Sequence, residues 1–174
     1  MSQRNPEFQR QLWLNWRPSL LAWSLGLSLL ILALPFALSS AKGLPGTLSM
    51  TAIAGLYLAA IIYGSVLAGR SLAEEASQNT WDWQRLSVLT PWQMAWGKLL
   101  GATLPAWLYV LWFALAVAGI THFWALEPLK LQHTIGLAVI WGLGLQTWAM
   151  NSVLMSWGLR DRPINRRRAA LMPL

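Results

Sequence analysis

The chain has 174 residues and a formal net charge of +7 at pH 7; 56% of its residues are hydrophobic and only 11% are charged. A soluble domain carries roughly a quarter charged residues, so this composition excludes an ordinary soluble globular protein. The sequence contains no cysteine, which excludes disulfides, cysteine metal ligands and thiol catalysis.

Uncharged runs dominate the chain. Four stretches contain no Asp, Glu, Lys or Arg: Pro18–Ala41, Gly43–Gly69, Leu99–Leu126 and Leu131–Leu159. Each is longer than the ~20 residues with which a helix crosses ~30 Å of hydrocarbon. We therefore predict an all-α integral membrane protein, a single membrane domain over residues 1–174 with four transmembrane helices. The predicted spans are about residues 18–41, 47–69, 92–126 and 134–159.

The residues before the first span predict a short helix, about residues 6–17, that lies on the membrane surface. Asn5 is suited to cap this helix, and Pro6 is favourable at its first position. The large apolar side chains on one face are Phe8, Leu12, Trp13 and Trp16. Because tryptophan has an apolar ring and a polar N–H, Trp13 and Trp16 are predicted membrane-interface residues. The alternative is that this segment is simply the end of the first span.

The first span has the basic-then-apolar order of a cleavable signal peptide, and Ser39-Ser40-Ala41 resembles a cleavage site. Its uncharged run has 24 residues, whereas the apolar core of a signal peptide has ~7–15. The length of the run therefore favours a retained membrane helix.

Basic residues are concentrated on one side of the predicted spans. Of the 13 Lys and Arg residues, only Lys42 and Lys130 fall in the connections on the other side. This asymmetry follows the positive-inside rule. It predicts a plasma (bacterial inner) membrane protein with both termini and the connection at residues 70–91 in the cytoplasm.

The C-terminal tail, residues 160–174, is strongly basic. Its predicted membrane-interface residues are Arg166, Arg167 and Arg168, which would contact anionic lipid head groups. We do not expect nucleic acid as a partner, because the basic residues do not form a stripe along the surface of a predicted soluble domain.

Small residues recur at four-residue spacing within the predicted spans, as in Ala60, Gly64 and Ala68, and again in Gly97 and Gly101. Small side chains let helix backbones approach closely, so these positions predict helix packing.

The connection from residue 70 to residue 91 ends in a helix-start signal. Thr90 and Gln93 fit a capping box, with Pro91 at the first helical position. This pattern predicts a helix that begins near Pro91 and runs straight into the third span.

A second, short amphipathic helix is predicted just upstream, over residues 80–89. It should stop near Leu89, because a proline disfavours the α region at the residue before it. Asp82 would lie in its first turn, where a negative charge is favourable. Trp83, Leu86 and Leu89 would share one side of this helix.

The sequence lacks the phosphate-binding loop G-x-x-x-x-G-K-[ST], so the chain is not expected to bind or hydrolyse ATP. Lys98 is instead predicted to extend its ammonium to the membrane interface. His122, Glu127 and His133 are close in sequence, but solvated loop residues are the expected interpretation rather than a metal site. No catalytic residue, metal or cofactor is predicted.

The connection between the second and third spans resembles that of permease subunits of type-2 ATP-binding-cassette exporters. In that family it carries an acidic residue, a Gly-Thr pair, an acidic or aromatic position, a leucine, a proline and Gly-Lys-Leu. The matching residues are Glu75, Thr80, Asp82, Leu86, Pro91, Gly97, Lys98 and Leu99. Asn79 and Ser77 depart from the family, which usually has glycine and a second acidic residue there.

The resemblance implies that residues 80–89 form a coupling helix that docks on a separate cytoplasmic ATPase subunit. The predicted docking residues are Glu75, Thr80, Trp81, Asp82, Trp83, Arg85, Leu86 and Pro91. The two tryptophans and Leu86 would fill a groove of the ATPase, and Asp82 and Arg85 would orient the contact. The resemblance also implies a second permease subunit as partner and a six-span fold, of which these four spans form a part.

Two other functions stay open beside export of an unidentified, hydrophobic substrate. The chain is alternatively a membrane anchor whose tryptophans only contact lipid. It is otherwise a small ion-coupled carrier that works as an oligomer, but such carriers need ionisable groups at membrane depth, and the four uncharged stretches contain no Asp or Glu. Gln146 and Asn151 would then line a path, or else form hydrogen bonds between helices.

Overall fold

The computed structural model describes residues 5–40, 42–77, 90–124 and 128–160. Its regular structure is helical throughout these ranges. The helices are α1 (Pro6–Asn15), α2 (Pro18–Leu38), α3 (Leu44–Tyr57), α4 (Gly64–Ser77), α5 (Pro91–Gly101), α6 (Leu104–Phe123) and α7 (Pro128–Arg160). A π-helical segment, Leu58–Tyr63, joins α3 to α4. The predicted coupling helix at residues 80–89 and the tail beyond Arg160 lie outside the described residues.

Four helical stretches are long and apolar enough to cross a membrane: Pro18–Leu38, Leu44–Ser77, Leu104–Phe123 and Gln132–Trp157. Large apolar side chains of these stretches face outwards, among them Trp23, Phe36, Ile140 and Trp148. Such a surface suits hydrocarbon, because lipid chains are as apolar as the side chains. The prediction of an all-helical membrane protein with four candidate spans is therefore confirmed.

The N-terminal helix α1 is separate from the first span. The Asn5 side chain accepts hydrogen bonds from the backbone N–H groups of Glu7 (3.1 Å) and Phe8 (3.4 Å), and Pro6 occupies the first helical position. Trp16 and Arg17 then adopt extended backbone angles before α2 begins. This break rules out the alternative in which the segment is the end of the first span.

The helix predicted to begin at Pro91 does begin there. The Thr90 hydroxyl accepts from the Gln93 N–H (3.3 Å), and the Gln93 side-chain oxygen accepts from the Thr90 N–H (3.1 Å). This helix, α5, ends at Gly101 instead of running straight into the third span, and α6 starts at Leu104. The prediction of one continuous helix is wrong because Pro105 has no N–H to donate to the preceding turn.

The fourth span is predicted to begin at about residue 134, whereas the helix that contains it, α7, already begins at Pro128. Proline suits a first helical position, so Pro128 starts the helix rather than belonging to the loop.

The core of the bundle forms where α3, the π segment, α6 and α7 meet. Its buried side chains are Leu56, Ala59, Ala60, Val110, Phe113 and Ala138. A second buried cluster, towards the start of α3 and the end of α6, contains Leu48, Ala52, Val117 and Ile120. The two clusters fix the second and third spans against each other.

A polar contact holds α7 against the π segment. The fully buried Gln146 donates through Nε2 to the backbone carbonyl of Ala60 at 2.9 Å. Gly64 leaves room for the Gln146 amide, because a Cβ at that position would overlap it. Gln146 is thus an interhelical hydrogen-bond partner, whereas Asn151 is exposed.

Candidate functional site

Four charged side chains from three helices meet on the side of the bundle where α1 lies. We call Glu7, Arg10, Glu75 and Lys98 the ionic cluster. Nη2 of Arg10 lies 2.8 Å from carboxylate oxygens of both Glu7 and Glu75. Nζ of Lys98 pairs with Glu75 and lies 3.6 Å from Glu7. The cluster therefore ties α1 to both α4 and α5.

Three of the four side chains of the ionic cluster are largely removed from solvent, whereas Arg10 is 44% exposed. The exposed fraction of the side chain is 1% for Lys98, 3% for Glu7 and 13% for Glu75. Two carboxylates and two basic groups balance each other, which is the condition under which buried charges are tolerated. The expectation that Lys98 extends its ammonium to the membrane interface is corrected, because two carboxylates within the protein hold it instead.

The cluster shifts the titration of its members on α1. Burial alone raises the pKa of Glu7, but hydrogen bonds from Arg10 and Gln11 and the nearby charges of Lys98 and Arg10 together bring that pKa below its ordinary value. The hydrogen bond to Glu7 raises the pKa of the Arg10 guanidinium. Both groups are therefore charged at neutral pH, and the cluster is held together by charge-assisted hydrogen bonds.

Beside the ionic cluster, α1 packs directly on the backbone of α5. The glycines Gly97 and Gly101 face Glu7 and Gln11, and a Cβ at Gly97 would lie 2.8 Å from the Glu7 Cβ and the Phe8 backbone nitrogen. Only glycine permits so close an approach of the two helices. The sequence predicted close helix packing at these glycines, and their partner is the N-terminal helix.

Two asparagines form hydrogen bonds at the two ends of the contact between α1 and α5. Asn5 donates to the carbonyl of Gln93 at 2.6 Å, and Asn15 donates to the carbonyl of Gly101 at 3.2 Å. Helix α1 therefore lies along the whole of α5, held by polar contacts at its start, middle and end.

The face of α1 that carries tryptophan points away from this contact. Trp13 is 89% exposed and Trp16 is 46% exposed, whereas the polar Glu7 and Gln11 are buried. A helix with its polar face on protein and its aromatic face outwards is suited to contact lipid. Membrane contact by Trp13 and Trp16 stays a prediction.

The structure brings together two of the predicted site residues, Glu75 and Lys98, and places Pro91 at the start of α5. Trp13 and Trp16 lie on the outward face described above, and the remaining predicted residues lie outside the described residues: Thr80, Trp81, Asp82, Trp83, Arg85, Leu86, Arg166, Arg167 and Arg168. Within the described ranges no three His, Asp or Glu side chains converge on a metal-sized site.

Sequence reasoning missed Glu7, Arg10 and Gln11 as partners of the predicted motif. The signal available was the matching four-residue spacing of Glu7 and Gln11 on one side and of Gly97 and Gly101 on the other. A polar pair at this spacing forms one stripe on a helix, as does a glycine pair.

A second feature is an apolar groove of about 750 Å³ between α2, α3, the π segment and α6. Its lining includes Leu27, Leu58, Ile62 and Phe113, and at one end the rings of Tyr63 and Tyr109 meet edge to face with centroids 5.7 Å apart. The groove lies between candidate spans, so its contents would be apolar.

Comparison of the chain with protein-family models, with curated proteins and with solved structures finds no match.

Proposed function

We propose that the chain is the permease subunit of an ATP-binding-cassette exporter, driven by a separate ATPase subunit that docks on residues 80–89. In this proposal the side of the bundle that carries α1 faces the cytoplasm. A second permease subunit completes the transport unit, and the substrate is hydrophobic, in keeping with the apolar groove between α2 and α6.

The observation that supports this proposal most directly is the ion pair between Glu75 and Lys98. These two residues bracket the proposed docking segment, one on α4 before it and one on α5 after it. Their contact holds α4, which precedes the segment, against α5, which follows it. A force applied to the segment would then reach α4 and α5 together.

The helix α1 strengthens that connection. It contacts Glu75 through Arg10 and lies along α5 through Gly97 and Gly101. Motion of the docking segment would therefore also move α1, whose exposed Trp13 faces outwards. The break at Ala102 and Thr103 separates the unit formed by α1, α4 and α5 from α6.

The test is recovery of an ATPase subunit with the chain from its native membrane in mild detergent. We expect the chain to bring down a soluble subunit with a phosphate-binding loop, and Trp83→Ala with Leu86→Ala to abolish this. Buried aromatic anchors commonly contribute ~2 kcal/mol or more each, enough to lose the complex on purification.

The matched control is Trp13→Ala, which removes an exposed tryptophan from α1 and leaves the docking segment intact. It should retain the ATPase. If the unaltered chain is recovered alone, under conditions that preserve other permease–ATPase pairs, the membrane-anchor function replaces the proposal.

A further inference from the structure

Next to the ionic cluster, a cleft of about 410 Å³ opens between α1, α4 and the turn after α5. Its walls carry charges of both signs: Arg10 and Arg70, and Glu74 and Glu75. The charges sum to zero, so the cleft has no preference for an anion or a cation as such. It is complementary to a ligand that itself carries one positive and one negative group.

Two of these charged residues are available to a ligand. Arg70 and Glu74 are exposed, and in the described part of the chain neither side chain forms an ion pair. They lie four residues apart on α4, so they share one face of that helix. Arg10 and Glu75, by contrast, are already paired within the ionic cluster.

The sequence predicts that the cleft lies at the level where the chain leaves the hydrocarbon. Arg70 is the first charged residue after the uncharged run Gly43–Gly69. The helical stretch Leu44–Ser77 has 34 residues, about 50 Å at 1.5 Å per residue, which exceeds the ~30 Å of the hydrocarbon core. Its last turns, with Arg70 and Glu74, therefore extend into the head-group region.

Along α4 the lining of the cleft has a fixed order. Leu67 comes first, Arg70 follows ~4.5 Å further along the axis and Glu74 ~6 Å beyond that. Going outwards from the membrane, the cleft thus offers an apolar side chain, a guanidinium and a carboxylate. A phospholipid offers an acyl chain, a phosphate and, in some classes, an amine, in the same order.

We propose that this cleft binds the head group of a phospholipid that carries a primary amine and no net charge, namely one with ethanolamine. Arg70 binds the phosphate, because the planar guanidinium group can donate hydrogen bonds to two phosphate oxygens at once. Glu74 accepts hydrogen bonds from the ammonium, which a choline group cannot donate. Leu67 and Leu14, which both line the cleft, contact the acyl chains. The site depends on the membrane location of the chain and not on its proposed transport function.

The test measures lipid binding to the purified full chain by native mass spectrometry. Lipids with ethanolamine, choline and glycerol head groups and identical acyl chains are added separately. We expect the ethanolamine lipid to bind about fivefold more tightly than either of the others, which corresponds to ~1 kcal/mol for one exposed charge-assisted contact.

Two variants locate the preference. Glu74→Gln should bring the ethanolamine lipid down to the level of the choline lipid, and Arg70→Gln should weaken both. The double variant Arg70→Glu with Glu74→Arg keeps the net charge and reverses the order of the groups, so it should lose the preference. Arg17→Gln, which removes an exposed arginine outside the cleft, should retain it.

Equal binding of all three lipids would overturn the proposal, and so would a preference for the anionic glycerol lipid. A preference for ethanolamine that persists in the order-reversed variant would overturn it as well. Circular dichroism of each variant tests whether its helices have formed, which distinguishes a loss of lipid binding from a failure to fold.

Discussion

Lys98 shows how the surroundings of a single side chain can override its usual behaviour. A lysine near the end of a membrane helix normally extends to water. Here Glu75 and Glu7 lie close enough to hold the ammonium inside the protein, where it is 1% exposed. The carboxylates in turn require Lys98, because Arg10 alone cannot balance two buried negative charges.

We therefore expect Lys98→Met to destabilise the protein by about 3 kcal/mol, since it leaves an uncompensated buried carboxylate. Thermal unfolding in detergent measures this loss. Lys98→Met combined with Glu75→Gln leaves Glu7 balanced by Arg10, so it should recover part of the stability. An unchanged melting temperature in Lys98→Met would show that the cluster contributes nothing.

The ionic cluster also predicts a dependence of stability on pH. The pKa of Glu7 in the folded chain lies below its ordinary value of 4.5, so the folded state binds this proton more weakly than the unfolded state. The resulting stabilisation is present above about pH 4.5 and is lost as the pH falls through the lowered pKa. Melting temperatures measured from pH 7 to pH 3 should fall less steeply in Glu7→Gln. Parallel curves of melting temperature against pH for the two proteins would contradict the lowered pKa of Glu7.

At the scale of elements, the close contact of α1 with α5 depends on the absence of side chains on one helix. Gly97 and Gly101 form a smooth stripe, and Glu7 and Gln11 lie directly on it. Hydrogen bonds from Asn5 and Asn15 then fix the position of α1 along that stripe.

Gly101→Ala should separate the two helices, because the added Cβ would overlap Gln11. We expect a loss of about 1–3 kcal/mol from overpacking, measured by thermal unfolding, together with faster hydrogen exchange in α1. The matched control is Gly119→Ala, where nothing lies within 4 Å of the new Cβ. It should be neutral or slightly stabilising, since alanine favours the helix. Equal effects of the two changes would refute a specific role for Gly101.

At the scale of the whole molecule, the positions of the basic residues predict its orientation. Most of the arginines are in or near in sequence to α1, the end of α4, the start of α5 and the end of α7, whereas Lys42 follows the other end of α2. The positive-inside rule therefore predicts that α1 and the ionic cluster lie on the cytoplasmic side.

The lack of native cysteine makes this orientation directly measurable. Lys42→Cys should react with a membrane-impermeant maleimide in intact cells, and Arg17→Cys should react only after the cells are opened. Both positions are exposed in the structure. The reverse pattern of labelling would place α1 outside, away from any cytoplasmic ATPase.

The sequence by itself determined what depends on local composition and neighbouring residues. Four uncharged runs sufficed to predict the spans, and the signals at Asn5, Pro6, Thr90 and Gln93 predicted two helix starts that the structure confirms. These features follow from the hydrophobic effect and from backbone hydrogen bonding within a few residues.

Only the tertiary structure decided which side chains meet across the chain. Glu7 and Lys98 are 91 positions apart in the sequence, and no local rule relates them. Their contact requires that α1 turns back onto α5 at the extended residues Trp16 and Arg17 and that two glycines admit it. Burial then reverses the expected behaviour of Lys98, because its preference for water depends on whether carboxylates lie within reach. Long-range packing, rather than composition, therefore decided the candidate site.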